Sequence, residues 1–72
     1  MKTLDLFDVS LNGRPVATAA PTLRTLLEQQ GYELGAAMAC AINKQFVPRQ
    51  QWQERALKPG DQIDVITPIT GG

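Results

Sequence analysis

Phe7, Val9 and Leu11 alternate with Asp8, Ser10 and Asn12, the period of two that a strand shows when one of its faces is buried. The spacing predicts a strand over residues 4–12. Asn12-Gly13 is the favoured dipeptide of a type I′ hairpin turn, whose central residues both need positive φ. A second strand, from about Arg14 to Ala19, is expected to pair antiparallel with the first. Leu23, Leu26 and Leu27 then repeat at i, i+3 and i+4, the stripe of a helix with one buried face. Thr22 is suited to cap its start, and Gly31 supplies a left-handed stop.

The segment Ala37 to Asn43 is short and apolar. Read as a strand, it puts Met38, Cys40 and Ile42 on one face and three alanines on the other; its alanines would also suit a helix. The alanine face leaves room for close helix packing, and the pattern alone does not say which face points inward. Asn43-Lys44-Gln45 turns the chain into a short apolar piece, Phe46-Val47, ended by Pro48, which has no N–H to give a sheet. An irregular crossover is expected up to Leu57. Pro59-Gly60-Asp61 is a turn, after which Ile63, Val65 and Ile69 mark a final strand running almost to the last residue. No repeat or low-complexity run interrupts this order. It predicts one domain over residues 1–72 of the α+β class, with one mixed sheet of about five strands packed on a single main helix. That arrangement is a roll of β-grasp (ubiquitin-like) type, with residues 67–72 as an extended, flexible tail.

A chain of 72 residues supports one small core, burying roughly 60% of the surface its unfolded form exposes. With 43% hydrophobic and 19% charged residues the composition is that of a folded globular domain. Seven basic residues balance seven acidic ones, so no long-range field draws the chain to nucleic acid or to an anionic membrane. The opening Met1-Lys2-Thr3-Leu4-Asp5-Leu6 lacks the apolar run of a signal peptide, and no stretch has the length that spans a bilayer. A cytoplasmic location is expected. A single cysteine, Cys40, and the absence of histidine rule out an internal disulfide and leave too few ligands for the usual zinc sites. They also leave no Ser-His or Cys-His pair. No metal, no permanently bound cofactor and no independent enzyme are expected.

Chemistry is then concentrated in Thr67-Pro68-Ile69-Thr70-Gly71-Gly72. Two terminal glycines arise by chance in about 0.5% of chains when glycine is ~7% of residues, which leaves a frayed end or a cloning remnant as the plainer reading. The functional reading is physical. Glycines without side chains let an extended tail, Pro68 to Gly71, thread a narrow partner cleft and leave the Gly72 carbonyl unhindered. A carboxylate is a poor electrophile, so an ATP-using partner, with its Mg, must convert it to an acyl-adenylate before a sulfur nucleophile displaces AMP. Ubiquitin-like modifiers share such a tail, so the glycines by themselves specify adenylation and not the product.

A second block, Ala41-Ile42-Asn43-Lys44-Gln45-Phe46-Val47-Pro48-Arg49-Gln50-Gln51-Trp52, closely resembles the AIN-x-x-x-VPR-x-x-W stretch of the bacterial sulfur carriers of thiamine biosynthesis, the ThiS family. Leu26-Leu27-Glu28-Gln29, Gly60-Asp61-Gln62-Ile63 and Gly71-Gly72 add weaker matches, and the resemblance covers about residues 9 to 72. It implies a β-grasp fold and a carrier cycle. An adenylating enzyme activates Gly72, a cysteine-desulfurase persulfide ultimately supplies sulfur, and the Gly72 thiocarboxylate delivers it to thiazole synthase. The chain departs from the family pattern in several extra residues before Phe7 and in Thr70 ahead of the glycines.

Other residues receive plainer readings. Pro48, Arg49 and Trp52 terminate a strand and close the core, and Cys40 is a small buried hydrophobe with no assigned role. Arg14, Arg24, Lys44, Arg49, Arg55 and Lys58 read as solvated surface. Ile66 and Pro68 alternate with Val65 and Thr67, taken as inward, so they form a possible docking face beside the reactive tail, unless the protein's own loops cover it. Three rival functions stay open: the small subunit of molybdopterin synthase, which uses the same thiocarboxylate chemistry, a noncovalent β-grasp binding module, and a protein modifier of ubiquitin type. The first typically carries a Phe and two prolines ahead of its glycines, whereas here that segment has only Pro68.

Overall fold

The computed structural model describes residues 5–67. Strand β1 (Phe7–Leu11) and strand β2 (Arg14–Thr18) form the first hairpin, helix α1 (Leu23–Gln29) follows, and strands β3 (Ala39–Ile42) and β4 (Gln45–Val47) form a second hairpin. A 3₁₀ turn at Arg49–Gln51 leads toward the last strand, β5 (Gln62–Ile66). The sheet order is β2-β1-β5-β3-β4. β5 lies parallel to β1 and antiparallel to β3, so the chain's last strand joins the two hairpins into one mixed sheet. This is the expected α+β roll, a five-stranded β-grasp sheet on a single helix.

The local chemistry explains each element. Asn12 and Gly13 have φ of 51° and 82°, the left-handed pair that a two-residue hairpin loop needs. Asn43 and Lys44, at 54° and 67°, make the second tight turn without glycine, so Gln45 belongs to β4 rather than to the turn. The Thr22 hydroxyl accepts the Thr25 N–H at 3.4 Å and caps α1. Carbonyls of the returning chain take up two more helix donors: Leu23 N–H donates to Arg55 O and Arg24 N–H to Trp52 O, at 2.9 and 3.0 Å. Gly31 follows the helix at φ 87°, as its stop position requires.

Val9, Leu11, Cys40, Ile42, Ile63 and Val65 cover the inner face of the sheet and form one cluster with Leu23, Leu26 and Leu27, which are fully buried. Val47, Trp52 and Leu57 complete it. The third strand therefore turns Cys40 and Ile42 inward and Ala39 and Ala41 outward. The alanines do not serve helix packing. The volume beneath α1 is filled by larger side chains, and the small residues are left on the open face.

Several boundaries differ from the periodicity, including the last strand, which ends at Ile66 instead of running almost to the last residue. The first strand is shorter than 4–12, the second stops at Thr18, and the third is confined to Ala39–Ile42. Thr67, expected to point inward, is exposed, because β5 ends at Ile66. Ile69 and the tail from Pro68 to Gly72 lie outside the described residues.

Candidate functional site

The site that the sequence points to is where the chain leaves the sheet, and the described structure reaches its base. Ala39 pairs with Ile66 at the end of β5, one residue before Thr67. On the other side of β5 the first hairpin has already turned back, so Asn12 extends the ladder with its side chain. Its Oδ1 accepts the Val65 N–H at 2.8 Å, while its own N–H donates to Ile63 O at 2.9 Å. The turn residue thus anchors the strand just before the tail. Periodicity identified Asn12 only as a turn former; its second role depends on β5 lying beside β1.

The outer face of the sheet at this end is apolar apart from the half-buried Asp64. Ala41 stands opposite Phe46 on β4 and Asp64 on β5, and Ala39 stands opposite Ile66. Phe46 is 69% exposed and Ile66 62%, with the two half-buried alanines between them. Strand spacing and rise put the Cα atoms of Phe46 and Ile66 about 12 Å apart. The result is a shallow dish with small side chains as its floor and two large apolar walls. Ile66 is outward as expected, and the described loops leave it uncovered; Pro68, its predicted companion, lies outside the described residues. Phe46 takes its place in the patch. The signal for Phe46 was present in the sequence, since a strand that buries Val47 must turn its neighbour out.

Leu6, the third large exposed hydrophobic among the described residues at 64%, is not part of this dish. Ser10 pairs with Gln62 in parallel register, so Leu6 lies toward the start of β5 and Ile66 at its end.

The VPR-x-x-W block is structural work of a specific kind. Trp52 is 3% exposed, and its indole N–H donates to Val47 O at 3.0 Å. The Arg49 guanidinium stacks over that ring, 4.5 Å from its centroid, and donates to Leu34 O and, at 2.7 Å, to Ala36 O. Arg49 is therefore exposed but not simply solvated, which revises its reading as a surface charge. A pocket of about 270 Å³ lies beside it, lined by Arg24, Leu34, Arg49, Gln50, Trp52 and Gln53.

Cys40 is 1% exposed, and burial pushes its thiol pKa up, offset in part by the Arg49 charge. A thiol held in its neutral form is a poor nucleophile. Alkylation by iodoacetamide at neutral pH is expected to run at least about tenfold slower in the native protein than in urea, measured by mass. Among the described residues no three His, Cys, Asp or Glu side chains converge as metal ligands, and no helix is long and apolar enough to cross a membrane.

Comparison with known proteins agrees with this architecture. A crystal structure of the thiamine biosynthesis protein ThiS from Geobacter metallireducens superposes with a TM-score of 0.76, covering 92% of this chain and 100% of that one. At 19% identity the likeness speaks for the fold alone. The sulfur carrier protein ThiS of Escherichia coli is 44% identical over 54 residues, 75% of this chain and 80% of its own length. That of Thermus thermophilus is 33% identical over 64 residues, 89% of this chain and 98% of its own. Residues 9–72 match the ThiS family, a span that includes the dish, the VPR-x-x-W block and the terminal glycines: the chain belongs to the ThiS family.

Proposed function

We propose that this protein is a sulfur carrier of thiamine biosynthesis, a co-substrate of partner enzymes rather than an enzyme itself. The observation that carries the reading is the family match, which runs through the last strand to Gly72. In this reading the Gly72 carboxylate attacks the α-phosphorus of ATP on an adenylating partner, and pyrophosphate leaves. The terminal sulfur of a persulfide, originating in a cysteine desulfurase, then displaces AMP to give an acyl disulfide. A second thiol cleaves its S–S bond, forming a disulfide with the donor cysteine and releasing the thiocarboxylate, which delivers sulfur to thiazole synthase. ATP and Mg belong to the partner. The carrier's own contribution is a tail that fits a cleft and a surface that holds the partner while it does so.

The test is intact mass after incubation with ATP, Mg, the adenylating enzyme of the same organism and a desulfurase with cysteine. The expected product is heavier by the difference between one sulfur and one oxygen atom. An unchanged mass favours a noncovalent binding module, and isopeptide conjugates on lysines favour a modifier. Loss of molybdoenzyme activity alone in a deletion strain, with no thiazole requirement, would assign the chain to molybdopterin synthesis.

The dish beside the tail base is proposed as the docking face, because exposed apolar area beside a reactive terminus is what a partner can bury. Ile66→Lys is expected to raise the adenylating enzyme's KM for the carrier about tenfold, with kcat within about twofold. The melting temperature should stay within about 3 °C, because the side chain is largely exposed. Leu6→Lys, at the far end of the sheet, should leave KM unchanged.

A further inference from the structure

Arg49 makes an unusual use of its guanidinium, spending it on the backbone of a loop remote in sequence. That loop connects α1 to β3. Its first part is held by the chain itself: Gly31 and Tyr32 N–H donate to Glu28 and Leu27 carbonyls, and Tyr32 and Leu34 pack against the core. Its second part is different. Gly35, Ala36 and Ala37 are small and exposed, so they bury almost nothing that would fix them. From Glu33 to Ala37, the described hydrogen bonds are the Ala36 N–H to Glu33 O and the two that Arg49 donates.

Arg49 can do this because it is itself held. It rests on Trp52, and Trp52 is buried and tied to Val47 O. A planar fork supported on a fixed ring presents two donors at once, which a lysine ammonium on a flexible stem does not reproduce. The restraint lies close to the tail: Ala36 is three residues before Ala39, the partner of Ile66. Continuing that antiparallel register sets Met38 level with Thr67.

We propose that Arg49 is a positioning residue for tail delivery, holding the Leu34–Ala37 loop as a fixed rim beside the point where the tail leaves the sheet. The inference rests on the carrier reading above. A partner that seats on the Phe46–Ile66 dish and draws the tail into its cleft meets this rim. If the rim is loose, it must be ordered at each encounter, and the entropy lost then weakens docking without touching the chemical step.

Two variants test this, read by hydrogen exchange and by the adenylation kinetics of the full chain with the adenylating enzyme of the same organism. Arg49→Lys keeps the charge and removes the fork. One glycine inserted after Gly35 loosens the same loop while leaving Arg49 on Trp52, and guards against a folding defect in the first variant. Both are expected to speed amide exchange across residues 34–38 at least about tenfold. Both should also raise KM for the carrier about five- to tenfold, with kcat within about twofold. Native KM in either folded variant, despite faster exchange, overturns the proposal and leaves Arg49 a purely structural residue; so does unchanged exchange. If the native chain is not adenylated either, the carrier reading itself fails and this inference falls with it.

Discussion

Deletion of Gly72 is expected to abolish thiocarboxylate formation while leaving the fold untouched. The described core is complete by Val65 and β5 ends at Ile66, so the described core and ladder do not draw on the last residue. What it subtracts is reach. One residue of extended chain is about 3.5 Å, and a reacting carboxylate displaced by that much from the α-phosphorus cannot form the bond, because near-attack geometry tolerates errors of only about 1 Å. The carrier lacking Gly72 should therefore show no sulfur-for-oxygen mass gain and no pyrophosphate release above background. Its melting curve should overlay that of the native chain. It should still compete with the native carrier for the adenylating enzyme, since the Phe46–Ile66 dish is intact. Conversion of the shortened chain at a native rate would move the chemistry away from Gly72.

Trp52→Ala has the opposite signature, a loss of the fold itself. Emptying a buried aromatic site costs about 3–5 kcal/mol, and here three further interactions go with the ring. The Val47 carbonyl loses the indole donor, Arg49 loses its platform, and the returning chain that caps α1 through Trp52 O and Arg55 O is left with less to hold it. Small domains have total stabilities of about 5 kcal/mol or somewhat more, so the variant is expected to be largely unfolded at 37 °C by circular dichroism. Trp52→Phe separates the contributions. It retains most of the packing but removes the indole donor from the Val47 carbonyl, whose strand partner is Cys40, a loss of about 0.5–1.5 kcal/mol that urea denaturation can measure. A Trp52→Ala protein that melts like the native chain would show that the VPR-x-x-W block is held together by something other than its tryptophan.

Local signals were reliable where the physics is local. Asn12-Gly13 specifies a tight hairpin because few residues accept positive φ. The Leu23, Leu26 and Leu27 stripe specifies which side of α1 is buried, and a strand that buries Val47 turns Phe46 out. The absence of histidine and the lone, buried Cys40 placed no chemistry in the core and directed attention to the tail, where the family match also extends.

Other properties exist only once distant segments meet. The Ala37–Asn43 stretch could present either face inward, and the choice was made by Leu26, Leu27, Ile63 and Val65, whose side chains occupy the space on the Cys40 side. Asn12 became an anchor for Val65 because β5 inserts between two hairpins. Arg49, indistinguishable by composition from the other surface cations, acquired a role when the chain brought the carbonyls of Leu34 and Ala36 within reach of its fork. The sequence by itself determined the order of the elements and the buried faces of β1 and α1, since these follow from backbone preferences and side-chain periodicity within a few residues. The tertiary structure decided which apolar residues remain exposed around Ile66 and which cation restrains the rim beside the tail, because both depend on contacts between residues far apart in the chain.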